Sequence, residues 1–162
     1  MLASAAMSAD ISQEIFRALI ACRSLELAMA GLYAELSSLH EHDAKIARLW
    51  RKTSWEEMNH AAQFSLLLDT MSDTVSASLV EPAALDSVRR AIELTVEEFR
   101  LHPPSVREAL VTAIDFEEAM NDLHADQLLV FANPRCKRLL AAMMAADSGH
   151  VASLRAALSS LG

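Results

Sequence analysis

Two matching sets of ionisable side chains fall at positions that helical periodicity assigns to the interior of this chain. Glu26, Glu57 and His60 form the first set; Glu117, Asp147 and His150 form the second. Glu57 follows Glu26 by 31 residues, and Asp147 follows Glu117 by 30. A carboxylate in an apolar core is costly unless its charge is compensated. Four carboxylates and two imidazoles converging on one core are best explained by a pair of divalent cations.

The interior assignment comes from the spacing of apolar residues. Ile15, Leu19, Cys22, Glu26, Ala30, Tyr33 and Leu36 recur at alternating steps of three and four, the period of one helix face. Asp10 and Gln13 have the spacing of a capping box, so this first helix is predicted over residues 10–39. Asp43 caps a second helix over 44–71, with Ile46, Trp50, Thr53, Glu57, His60, Phe64 and Leu67 inward. Periodicity then lapses through SDTVSASLVEP, which reads as a loop. Pro82 opens a shorter amphipathic segment, about 83–101, with Leu85, Val88, Ile92, Val96 and Phe99 on one side. Ser105 and Glu108 form another capping box, and a helix follows to about 132. Its inward residues are Val106, Leu110, Ala113, Glu117, His124, Leu128 and Phe131. Asn133 and Pro134 mark a turn. A last helix over 135–161 carries Leu140, Met143, Asp147, His150, Leu154 and Ala157 inward.

These elements describe two antiparallel helical hairpins joined by a long crossover that contains a short extra helix, all within one domain spanning 1–162. Counting outward from each hairpin turn, at a rise of about 1.5 Å per residue, puts the partner carboxylates within roughly one turn of the same height. The six polar side chains can therefore share one layer. An internal repeat supports this: ELAMAGLYAE begins at Glu26 and EEAMNDLHAD at Glu117, with Glu, Ala, Met, Leu and Ala in register. A polar ring, Tyr33 or His124, follows each Glu by seven residues. The repeat implies a pseudo-twofold axis through the layer.

Residues three apart on a helix reach the same ligand, so Glu57 with His60 and Asp147 with His150 each present a carboxylate and an imidazole to one ion. A Glu from each of two helices plus such a pair from each of the other two is the di-iron or di-manganese carboxylate arrangement. Oxygen ligands with one imidazole per metal suit Fe(II) and Mn(II), and zinc also binds such a set. Glu57 and Glu117, as the inner carboxylates, are the candidate bridges, with Glu26 and Asp147 terminal.

LYAEL, WEEMNHA and the C-terminal DSGH, placed around Glu26, Glu57, Glu117 and His150, resemble the ferritin-like di-iron superfamily. Within it they look most like the rubrerythrin-like branch. The resemblance covers roughly residues 10–161. It implies a ferritin-like four-helix bundle with a left-handed crossover and a non-haem di-iron centre. It further implies an oxidoreductase that uses dioxygen or hydrogen peroxide to oxidise Fe(II), or that reduces peroxide. It also implies that Tyr33 hydrogen-bonds a site carboxylate. Three departures stand out. Asp147 replaces the usual Glu, Met120 stands where rubrerythrins carry an additional Glu, and no rubredoxin domain is expected, so the electron donor is expected to be another protein or Fe(II) itself. Met58 and the Ser-Gly-His segment ending at His150 also resemble bacterioferritins, but Met58 is read as a packing residue and no haem is expected. The competing reading is a non-catalytic metal-binding or helical interaction module that keeps the fold.

Composition narrows the remaining choices. Apolar residues make up 52% and there are only three glycines, which favours helices over a loop-rich or β architecture. A net charge of −8 argues against nucleic acid or an anionic membrane as partner. The two cysteines, Cys22 and Cys136, form no Cys-x-x-Cys pair and are expected to be free thiols. MLASAAMSADIS lacks a basic region before an apolar stretch, and no apolar run is long enough to span a bilayer. A cytoplasmic homodimer is expected. Glu56, Glu118 and Asp122 are assigned to solvent, and His40 and His42 to the first hairpin turn.

Overall fold

Helix propensity and capping chemistry account for most of the observed elements. The computed structural model describes residues 2–69, 75–78, 82–125, 129–131 and 134–161. Among these described residues, five helices run in the order α1 (Leu2–Leu39), α2 (Ala44–Asp69), α3 (Pro82–Leu101), α4 (Val106–Ala125) and α5 (Pro134–Ser159). Two short strands, β1 (Val75–Ser78) and β2 (Leu129–Phe131), pair antiparallel, with Val75 opposite Phe131 and Ser78 opposite Leu129. An irregularity between Val75 and Ala77 interrupts the ladder. No helix is long and apolar enough to cross a membrane among the described residues.

The caps behave as their chemistry requires. Asp43 Oδ1 accepts from the backbone N–H of Lys45 at 3.0 Å and of Ile46 at 3.1 Å, satisfying two donors at the start of α2. Ser105 and Glu108 close a reciprocal box: the Ser105 N–H donates to Glu108 Oε2 at 2.8 Å, and the Glu108 N–H donates to Ser105 Oγ at 3.3 Å. Pro134 opens α5 at its first position, where a missing N–H costs nothing.

Three boundaries differ from expectation. α1 begins at Leu2 rather than near residue 10, so Asp10 lies inside the helix and is not its cap. The Ala-, Leu- and Met-rich start has enough propensity to carry the helix through it. α4 ends at Ala125 instead of continuing to 132, and Leu129–Phe131, which includes the strand-favouring Val130 and Phe131, pairs with β1. The segment read as a loop thus supplies a strand through Val75–Ser78. α2 is described to Asp69, and residues 70 and 71, also expected in it, lie outside the described residues.

The packing matches the periodic stripes. Every inward residue named above for the first two helices is buried. α1 lies against both α2 and α3, and α4 lies against α5. Ser54 Oγ donates to the Ala30 carbonyl at 2.8 Å and Ser37 Oγ to the Ala47 carbonyl at 3.1 Å, so two small hydroxyls fix the register of α1 on α2. Leu85 and Ile92 bury one face of α3, and Arg100 Nε donates to Glu35 Oε2 of α1 at 2.8 Å. His40, assigned to a turn from sequence, is buried. Its ring nitrogens lie 3.0 Å from the Leu36 carbonyl and 3.1 Å from that of Pro104, which links the first hairpin turn to the entrance of α4.

Candidate metal centre

Periodicity places Glu26 on the buried stripe of α1, Glu57 and His60 one turn apart on that of α2, Glu117 on α4 and His150 on α5. All five are buried, the carboxylates at 1–2% exposure and the imidazoles at 4%. Their donor atoms gather into two overlapping triads, Glu26–Glu57–His60 and Glu57–Glu117–His150, with the atoms of each within 4.8 Å of one another. Such buried groups can hold a metal ion. The Asp147 and His124 side chains, and that of Cys136, lie outside the described residues.

Glu57 is common to both triads. Its Oε2 lies 3.1 Å from His60 Nδ1 and its Oε1 lies 2.8 Å from His150 Nδ1. His60 Nδ1 is also 3.7 Å from Glu26 Oε2, and His150 Nδ1 is 3.6 Å from Glu117 Oε1. The two imidazole rings stack with centroids 5.8 Å apart. Tyr33, seven residues after Glu26, reaches across the layer and donates its hydroxyl to Glu117 Oε1 at 2.5 Å. Its ring stacks on buried Trp50, centroids 5.7 Å apart.

The donor set suits a cation on its own geometry. Glu57 Oε1 and both ring nitrogens of His150 are buried, yet none has a hydrogen-bonding partner among the described residues. Charged groups nevertheless lie close: Glu57 Oε1 is 2.8 Å from His150 Nδ1, and Glu56 Oε2 is 3.2 Å from His150 Nε2. Buried polar atoms left in this way carry a substantial desolvation cost. A divalent ion drawing on both lone pairs removes that cost.

Without a metal, protons do part of this work. Burial pushes the His60 ring down, but Glu26 and Glu57 outweigh it and raise its pKa to about 10. His150 follows the same balance: burial is overcome by Glu117 and Glu57, again to about 10. Burial pushes Glu57 up, but the two imidazoles win and hold it near 2. Glu117 moves the other way, raised chiefly by burial, with the Glu57 charge adding to it. The metal-free layer therefore holds two imidazolium protons that a metal must displace.

Around this layer, Cys22 is buried and its thiol is pushed up to about 12, first by burial and then by the Glu26 charge, so it stays protonated. Met120 is buried in α4 beside Glu117. Met58, expected to pack, is instead 55% exposed. Glu118, assigned to solvent, pairs with Arg155 of α5.

Sequence reasoning missed Glu56. Assigned to solvent, it is half-buried, and its Oε2 lies 3.2 Å from His150 Nε2 while Lys52 Nζ donates to the same carboxylate. Periodicity points Glu56 away from the α2 stripe, so the only signal was its adjacency to Glu57. No family model, no curated protein and no solved structure matches this chain.

Proposed function

We propose that the chain is a ferritin-like, rubrerythrin-like di-metal carboxylate protein. In this reading it couples Fe(II) oxidation to reduction of dioxygen or hydrogen peroxide, with Glu26, Glu57, His60, Glu117, Asp147 and His150 as ligands. The observation that carries the reading is Glu57, shared between two buried carboxylate–imidazole triads drawn from four different helices. Two iron ions bound there would supply Lewis acidity and exchangeable electrons; manganese or zinc would fit the same donors.

The protein's own contribution is positional and electrostatic. Glu57 turns one oxygen toward each imidazole, which supports its assignment as the ligand the two ions would share. Tyr33 holds Glu117 by a short hydrogen bond, which fixes the carboxylate's rotamer and draws charge from one oxygen. Trp50, Phe64 and Leu67 are buried on the same stripe of α2, to either side of Glu57 and His60 along the helix. Glu117 is also proposed to bridge, and Asp147 to act as a terminal ligand with shorter reach. A homodimer is part of the proposal, supported by the exposed Leu27 and Leu66 on the outer faces of α1 and α2.

The test is anaerobic titration with Fe(II), followed by admission of air or peroxide. The enzyme reading expects two ions bound per chain and ferric absorption growing faster than in protein-free buffer. Two ions bound with oxidation no faster than in buffer would leave the non-catalytic metal-binding module. Absence of stoichiometric binding would end both and leave a helical interaction module that keeps the fold.

A further inference from the structure

A groove of about 560 Å³ opens on the outside of α2, next to the buried layer but separate from it. Among the described residues its lining holds three cations, Arg48, Arg51 and Lys52, two carboxylates, Glu41 and Glu56, and Trp55. The steps from Arg48 to Lys52 to Trp55, and from Arg51 to Trp55, are helical ones, so the three cations share one side of α2 with the indole, within two turns of it. That indole is 69% exposed, the most exposed of the tryptophan and phenylalanine rings described.

The charge pattern is unusual for this chain. The protein carries a net charge of −8, yet Arg48 and Arg51 form no ion pair among the described residues. Among the described residues Lys52 pairs with Glu56 alone, at 2.7 Å. An exposed indole flanked by uncommitted guanidinium groups offers a stacking face for a flat ring and forked donors for a phosphate. The volume lies within the range of small-molecule sites. A macromolecular partner is disfavoured, because the net negative charge repels a large acidic surface while a small anion responds to the local cations.

We propose that this groove binds a small molecule that carries a flat aromatic ring and a phosphate group. The ring lies on Trp55, and the phosphate is held by Arg48 and Arg51. The site reaches the buried layer through one side chain: Glu56 lines the groove, pairs with Lys52, and sets Oε2 3.2 Å from His150 Nε2. A phosphate that engages Lys52 loosens Glu56 from it. The assignment stands whether or not the buried triads hold metal.

The probe is flavin mononucleotide, titrated calorimetrically into the intact chain, with riboflavin as the same ring lacking the phosphate. Saturable one-to-one binding is expected, with riboflavin weaker by roughly tenfold or more. Arg48→Gln with Arg51→Gln should weaken the mononucleotide by a similar factor while leaving the helical circular dichroism unchanged. Trp55→Leu should weaken both probes. Glu56→Gln, which removes a negative charge from the wall, should tighten mononucleotide binding, and inorganic phosphate should compete. Equal affinity for the two flavins, or binding indifferent to both arginines, would overturn the proposal. So would binding of polyglutamate with none of the mononucleotide.

Discussion

The two triads share Glu57 but are assembled differently. Glu26, Glu57 and His60 all come from the α1–α2 hairpin, whose turn is capped by Asp43 and whose register is set by Ser54 and Ser37. The second triad takes Glu57 from that hairpin and imports Glu117 and His150 from α4 and α5. It also has two outside supports, the Tyr33 hydroxyl on Glu117 and the Glu56 carboxylate beside His150. One position is thus built by local geometry, and the other exists only after the two hairpins close on each other. In the proposed reading the first should load metal readily, and the second should depend on anything that shifts α4 or α5.

The substitution that should do most is Glu57→Ala, because it removes the shared carboxylate. Metal content by mass spectrometry should fall to none or nearly none. His150→Ala should empty only the second position and leave about one ion per chain, in line with the expected loss of an essential ligand. Equal loss in the two variants would erase the distinction between the triads.

Next in size is the response to pH. Both imidazoles are raised, so the stability they contribute to the metal-free protein is complete below 6.5 and is lost as pH climbs through about 10. Glu57 is lowered, so its contribution is complete above 4.5 and is lost as pH falls through about 2. Burial-raised Glu117 opposes part of that acid-side loss. Thermal unfolding of metal-free protein should therefore fall off on the alkaline side, and bound metal, by replacing the two protons, should flatten the decline. Metal uptake near neutral pH should release protons into a weakly buffered solution. A metal-free protein whose melting temperature is constant from pH 6 to pH 10 (roughly the range of these shifts) would contradict the arrangement.

The smallest effect is expected from Tyr33→Phe. The ring keeps its stack on Trp50 while Glu117 loses a donor, and such a hydrogen bond is worth about 0.5–1.5 kcal/mol to a neutral acceptor and about 1.5–3 kcal/mol to a charged one. Urea unfolding should register that loss. Metal affinity should weaken at the second position and hold at the first, which would show that the hydroxyl acts on the imported carboxylate alone.

Much of this layout was legible beforehand, and the reason is periodicity. A helix repeats every 3.6 residues, so Ile15 through Leu36 and Ile46 through Leu67 declare their inner faces without reference to anything distant. Glu26, Glu57 and His60 stood on those faces and are buried there. The Ser105–Glu108 box is equally local, four residues closing on themselves. The failures were all non-local or propensity-driven. Asp10 looked like a cap, but a cap signal inside a strong helix-forming run does not stop it. The stretch expected to end α4 pairs with a strand more than fifty residues earlier in the chain. Glu56 depended on where α5 came to rest.

The amino-acid order alone determined which residues turn inward and that carboxylates and imidazoles occur among them, because both follow from short-range spacing along single helices. Tertiary structure decided that Glu57 faces two imidazoles at once, that the Tyr33 hydroxyl reaches Glu117 on another helix, and that Glu56 links an outer groove to His150. Those facts depend on how one helix is rotated and raised against another. That placement is set by the packing of whole faces, and no single segment encodes it.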